Sequence, residues 1–126
     1  MTMTRPWGTY TLLQESTCGW VKRIDVEGGR RLSLQRHKHR DEVWTVTGGS
    51  GSYWIGGTCP DASDLRHISL KLGDVVKINA MQWHRLCAGD SGISVIEVAL
   101  GYVDGVSVCA DEDDIERRQD DYGRTS

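Results

Sequence analysis

Gly29-Arg-Arg-Leu-Ser-Leu-Gln35-Arg-His37-Lys-His39-Arg-Asp-Glu42 is the stretch whose reading decides what this chain is. Gln35, His37 and His39 alternate, and alternation sends side chains to one face of a strand. Further along, Gln82-Trp83-His84-Arg85 supplies another imidazole. Neutral imidazoles with one carboxylate suit a borderline divalent ion such as Zn²⁺, Fe²⁺, Mn²⁺ or Co²⁺. The plainer alternative is a solvated strand that happens to carry histidines, because Arg36, Lys38 and Arg40 interleave with the candidate ligands.

Composition narrows the frame. A chain of 126 residues is one domain, read here as 1–126. Hydrophobic residues make up 38% and charged residues 26%, which favours a packed core over disorder. A net charge of −3 argues against a nucleic-acid partner. No apolar run has the length of a membrane span, and Met1-Thr-Met-Thr lacks a signal-peptide core, so a cytoplasmic protein without a membrane partner is expected. Cys18, Cys59, Cys87 and Cys109 are scattered, with no C-x-x-C pair, and are expected to be reduced.

Fifteen glycines punctuate short apolar runs, which is a β signal. Strands are predicted at 8–14, 20–26, 31–37, 43–47, 51–55, 66–70, 75–78, 84–87 and 94–99. Residues 56–64 read as a hairpin loop. Many short strands without an amphipathic helix predict an all-β sandwich or small barrel. Residues 110–126 are read either as a solvated tail or as a docked one. Asp111-Glu-Asp-Asp is a candidate opening for a short helix, since acids favour a helix N-terminus.

The spacing resembles the cupin signature, G-x5-H-x-H-x4-E-x6-G followed by G-x5-P-x-G-x2-H. Counting from Gly29, the two histidine positions hold Gln35 and His37, the carboxylate position Glu42 and the closing glycine Gly49. Counting from Gly73, the proline position holds Asn79, the second glycine position Met81 and the histidine position His84. Both turn residues of the second motif are therefore replaced, which puts the tight turn before His84 in question. Arg5-Pro-Trp-Gly8, Val21-Lys-Arg-Ile24, Leu32-Ser-Leu-Gln35, His84-Arg-Leu86, Ile96-Glu-Val98, Asp113-Asp-Ile115 and Asp121-Tyr-Gly-Arg124 resemble the type II mannose-6-phosphate isomerase domain. That domain often forms the C-terminal part of a bifunctional enzyme with GDP-mannose pyrophosphorylase. The resemblance covers residues 5–124.

The resemblance implies a single-domain cupin, a double-stranded β-helix or jelly-roll barrel, that pairs as a homodimer. It implies one divalent metal ion, zinc first, with manganese, cobalt, iron or nickel as alternatives. The metal candidates are Gln35, His37, His39, Glu42 and His84, with His39 ligating in place of Gln35, shuttling a proton or lining the mouth. Glu97 sits in an apolar strand, where a carboxylate is costly unless paired or functional. It is the candidate base; pairing with Arg23 or Arg85 is the alternative. Lys22, Arg23 and Arg85 are candidates to meet a substrate phosphate, and Arg85 and His39 to assist the chemistry. Trp7, Trp44 and Trp83 are read as core or as platforms for a sugar face. The expected activity is aldose–ketose isomerisation of mannose 6-phosphate and fructose 6-phosphate. Competing expectations are a non-catalytic sugar- or nucleotide-sugar-binding cupin and a non-haem Fe(II) oxygenase.

Overall fold

The computed structural model describes residues 1–103 and 105–124, without the side chains of Tyr102 and Val103. Among the described residues there is no helix. The strands are β1 (Thr2–Arg5), β2 (Gly8–Ser16), β3 (Gly19–Val26), β4 (Leu34–Arg36), β5 (Arg40–Ile55), β6 (Arg66–Leu70), β7 (Val75–Ile78), β8 (His84–Val103), β9 (Val106–Ser107) and β10 (Glu116–Gln119). All their pairings are antiparallel. The all-β expectation holds.

Two long strands make the sheet curl. β5 pairs with β7 through its first half, with β6 through its second, and with β8 along most of its length. The sequence reading split each of these strands in two, at the glycines. The chain instead runs through, with register shifts between Val46 and Gly48 and between Gly49 and Gly51. Bulges of this kind bend a strand without ending it. Gly49, the closing glycine of the first motif, has φ +67°, and a Cβ there would lie 2.1 Å from the carbonyl oxygen of Gly92. Any larger residue would have to push the two long strands apart.

Alternation does the rest. Along β5, Glu42, Trp44 and Val46 are buried while Asp41, Val43 and Thr45 are only partly so. Their neighbours Val95 and Ala99 on β8, with Ile24 and Val26 on β3, complete an inner face together with Ile78 and Leu86. Burying one such aliphatic side chain contributes about 1.5–3 kcal/mol. A smaller cluster of Leu34, Ala62 and Trp83 closes the other side of β4.

The C-terminal segment is docked. β10 pairs with β4, placing Glu116 opposite Arg36 and Arg117 opposite Gln35. The acidic run does not open a helix: Asp114 N–H bonds the Asp111 carbonyl at 3.1 Å in a turn, and a strand follows. Its acids are engaged elsewhere, as described below. The strand expected at 31–37 shrinks to residues 34–36, so strict alternation fails just where His37 and His39 lie.

Candidate metal centre

His37, Glu42 and His84 converge, with ligand atoms all within 4.8 Å of one another, and all three are buried. Glu42 points inward from β5 and His84 opens β8, where it pairs in register with Gln35 of β4. His37 sits just past β4, directly before a bend at Lys38 and His39. Its Nδ1 is 2.7 Å from the Asp114 carbonyl oxygen, and His84 Nδ1 is 2.9 Å from the Gln82 carbonyl oxygen. A carbonyl can only accept, so both Nδ1 atoms carry the proton and both Nε2 atoms present lone pairs. Those Nε2 atoms face Glu42, at 3.2 Å for His37 and 3.7 Å for His84.

Lone pairs facing a carboxylate repel unless a cation lies among them. Here the Arg40 guanidinium supplies the charge, donating from Nε to Glu42 Oε2 at 3.1 Å and from Nη2 to His37 Nε2 at 3.1 Å. A divalent ion on the same lone pairs would take over that role and displace the guanidinium. The residues therefore fit a metal ion: two imidazoles with the correct nitrogen exposed, one carboxylate, and second contacts that fix each ring. Burial pushes the Glu42 carboxyl up, but the positive charge that His37 and His84 carry when protonated, and that Arg40 always carries, outweighs it and holds the carboxyl well below the usual carboxylate range. Burial lowers the His84 pKa to about 4, partly offset by Glu42, so its ring is neutral and available as a ligand at neutral pH.

Asp114 organises this corner. Besides its carbonyl on His37, its carboxylate accepts the N–H groups of Lys38 at 2.9 Å and His39 at 2.8 Å. The turn before His84 forms despite losing its proline and glycine. Met81 adopts φ +70°, a conformation that costs a non-glycine residue about 1–2 kcal/mol. Its N–H donates to the His37 carbonyl at 2.7 Å, tying the two motifs together.

A cavity of about 540 Å³ opens over the cluster. Gln35, Glu42, His84, Glu97 and Lys22 line it, as do Trp7 and Trp44. Glu97 is 6% exposed and accepts a hydrogen bond from Trp20 Nε1 at 3.1 Å. It pairs in register with Lys22 on one side and Trp44 on the other. Burial, then the neighbouring Glu42 carboxylate, pushes the Glu97 pKa up to about 8.

Several expected residues lie elsewhere. His39 is exposed and outside the ligand group, because the bend after β4 turns it outward. Arg85 is buried behind the sheet, donating from Nε to the Leu32 carbonyl at 2.7 Å and pairing with Asp121 at 3.5 Å, since it alternates with the inward His84. Arg23 faces out beside Asp25, alternating with the inward Lys22. None of these three lines the cavity. Trp83 is core, with its Nε1 donating to the Cys59 carbonyl. The sequence assigns no role to Arg40, Arg5 and Tyr10, which line the cavity, or to Asp114, which braces His37. Arg40 interleaves with the histidines, which is the pattern of the solvated-strand alternative, yet its place two before Glu42 puts it on the inward side of β5.

The two shifted groups give opposite pH signatures. The raised pKa of Glu97 contributes stability below about pH 4.5 that is lost as pH rises through about 8. The lowered pKa of His84 contributes stability above about 6.5 that is lost as pH falls through about 4. Between about 4.5 and 6.5 the two oppose each other; above 6.5 only Glu97 still titrates. Metal-free protein should therefore lose on the order of 1–2 kcal/mol between pH 6.5 and 8.5. Glu97→Gln should show a flatter profile in that window. Thermal unfolding of both proteins across it is the check.

The comparisons agree with this geometry. The family model described as mannose-6-phosphate isomerase C-terminal matches residues 1–120. The alginate biosynthesis protein AlgA of Pseudomonas aeruginosa is 39% identical over 123 residues, covering 97% of this chain and 23% of that protein. Mannose-1-phosphate guanylyltransferase ManC of Salmonella typhimurium is 32% identical over 120 residues, covering 95% and 22%. The chain thus spans less than a quarter of the curated relatives it matches. Among solved structures, a cupin-2 domain from Rhodospirillum rubrum superposes with a TM-score of 0.62 at 21% identity, covering 84% of this chain and 67% of that one, which supports the cupin fold alone. With a cupin barrel, an inward histidine–carboxylate cluster and a family match over nearly its whole length, this chain belongs to the mannose-6-phosphate isomerase C-terminal family.

Proposed function

We propose that the chain interconverts an aldose phosphate and a ketose phosphate, mannose 6-phosphate and fructose 6-phosphate first, with zinc as the first candidate ion. The observation that supports this most is one cavity holding three chemistries side by side. Glu42 lies on β5, Glu97 on the neighbouring β8 and Lys22 on β3 beyond it, and Gln35, His84, Tyr10 and Arg5 line the same cavity. Its volume of about 540 Å³ suits a small, largely buried ligand. A divalent ion held by His37, Glu42 and His84, with Gln35 as a further donor, would supply a Lewis acid for the sugar carbonyl. Glu97, one strand from Glu42, is placed to carry the proton between adjacent carbons.

The far end suits the phosphate. Lys22 Nζ lies 4.3 Å from the centre of the Tyr10 ring and the Arg5 guanidinium 5.1 Å from it. Arg5 makes no ion pair among the described residues, and its Nη2 donates to the Tyr10 hydroxyl at 3.3 Å. The partner of Lys22 is Glu112, a half-exposed carboxylate that a phosphate would replace. From β5 to β3 is two strand spacings, about 9–10 Å, a distance an open-chain hexose phosphate can bridge.

Turnover of mannose 6-phosphate by metal-replete protein, abolished by chelator and restored by Zn²⁺, Mn²⁺ or Co²⁺, is the test. Binding without turnover would point instead to a sugar-binding module. Lys22→Met should raise KM about 10- to 100-fold with kcat little changed, because a phosphate grip is equal in ground and transition states. A fall in kcat at constant KM would place Lys22 in the chemistry instead.

A further inference from the structure

Ser33 is 1% exposed, and its Oγ has no hydrogen-bond partner. Buried hydroxyls normally find one, most cheaply a nearby backbone carbonyl. Here the adjoining Leu32 carbonyl accepts from Arg85 Nε at 2.7 Å and not from the Ser33 hydroxyl. The hydroxyl is nevertheless not sealed in apolar packing. Ser33 lines the cavity together with Gln35, while Leu34 between them turns to the opposite cluster.

The backbone explains how it comes to point there. Arg31 bridges to Cys87, and Gln35 pairs with His84. Four steps along this segment therefore oppose three along β8, so one residue is extra. An inserted residue re-aims side chains, and such bulges gather beside functional sites. The result is a lone hydroxyl beside the metal-ligand end of the cavity, two residues from Gln35, which itself faces His84.

We propose that Ser33 Oγ is a binding contact for a hydroxyl of the sugar, next to the carbon that meets the ion. The inference rests on the isomerase reading for the identity of the ligand. A serine hydroxyl both donates and accepts, as a sugar hydroxyl does, so the two satisfy each other on binding. In the unliganded protein the same atom is a buried polar group without a protein partner, and its removal should do no harm.

That asymmetry makes the test. In Ser33→Ala, the unliganded protein should melt at the wild-type temperature or higher and hold metal as tightly. Binding of mannose 6-phosphate to the metal-loaded protein should weaken about 5- to 20-fold. Across mono-deoxy analogues, one should lose affinity for wild type but lose nothing further in Ser33→Ala, which names the hydroxyl. Wild-type affinity in Ser33→Ala would overturn the proposal, as would a drop in melting temperature and metal affinity together with binding, the mark of a packing role. If wild type turns over mannose 6-phosphate and Ser33→Ala matches it in KM, this proposal falls alone. If wild type binds no sugar phosphate, the isomerase reading falls with it.

Discussion

His84→Ala is expected to bind a divalent ion at least about 100-fold more weakly than wild type, measured by chelator competition on purified protein. The ring is 2% exposed and fixed by its Nδ1 on the Gln82 carbonyl, so its Nε2 is already aimed at the cluster before any ion arrives. Deleting it leaves His37, Glu42 and the neutral donor Gln35, which cannot close a coordination sphere from the side on which His84 stands. The substitution also empties buried volume beside Trp44, whose ring lies 5.8 Å away, and some loss of stability is expected. His84→Asn restores part of that volume while removing the imidazole, and helps separate the two effects. Both variants should lose metal; only His84→Ala should melt markedly lower without it. Metal affinity equal to wild type in both would mean that the ion, if any, sits elsewhere.

How much of this was legible in the sequence depends on whether a residue obeys simple alternation. On β3, β5 and β8 it does, and there the reading was good: Glu42, Lys22 and Glu97 all point inward as their apolar neighbours require. The same alternation, applied one residue along, already argued against Arg23 and Arg85, which sit next to inward Lys22 and His84. It failed after β4. The run Gln35–His37–His39 looks like one strand face, but the chain bends just after His37 because Asp114, more than seventy residues away, captures the N–H groups of Lys38 and His39. No local signal announces that contact. Met81 is a similar case: the glycine-like turn survives on tertiary bonds to His37, although the residue that normally permits it is gone. Strand ends misled in the other direction. The glycines in β5 and β8 read as breaks, and they are bulges that let two long strands bend together over the cavity.

Glu97→Gln should lower kcat by about 100- to 10,000-fold, with metal content and KM little changed. The replacement keeps size and shape, and the carboxamide oxygen can still accept the Trp20 indole N–H, so the barrel has no reason to repack. The phosphate end at Lys22 and the ligands on β5 and β8 are untouched. What is lost is the ability to take a proton from one carbon and return it to the next, a step needed only on the way to the enediol. Exchange with solvent isolates that step. In deuterium oxide, wild type should place deuterium on the carbon that receives the proton, and Glu97→Gln should not. Together with Lys22→Met, which should act on KM, this divides the cavity into a grip and a base. Should Glu97→Gln keep wild-type turnover and exchange while His84→Ala abolishes both, the proton carrier is another titratable group lining the cavity, Lys22 or, on the docked C-terminal turn, Glu112 or Asp113. Glu97 would then be a structural acid, held protonated by burial beside Glu42.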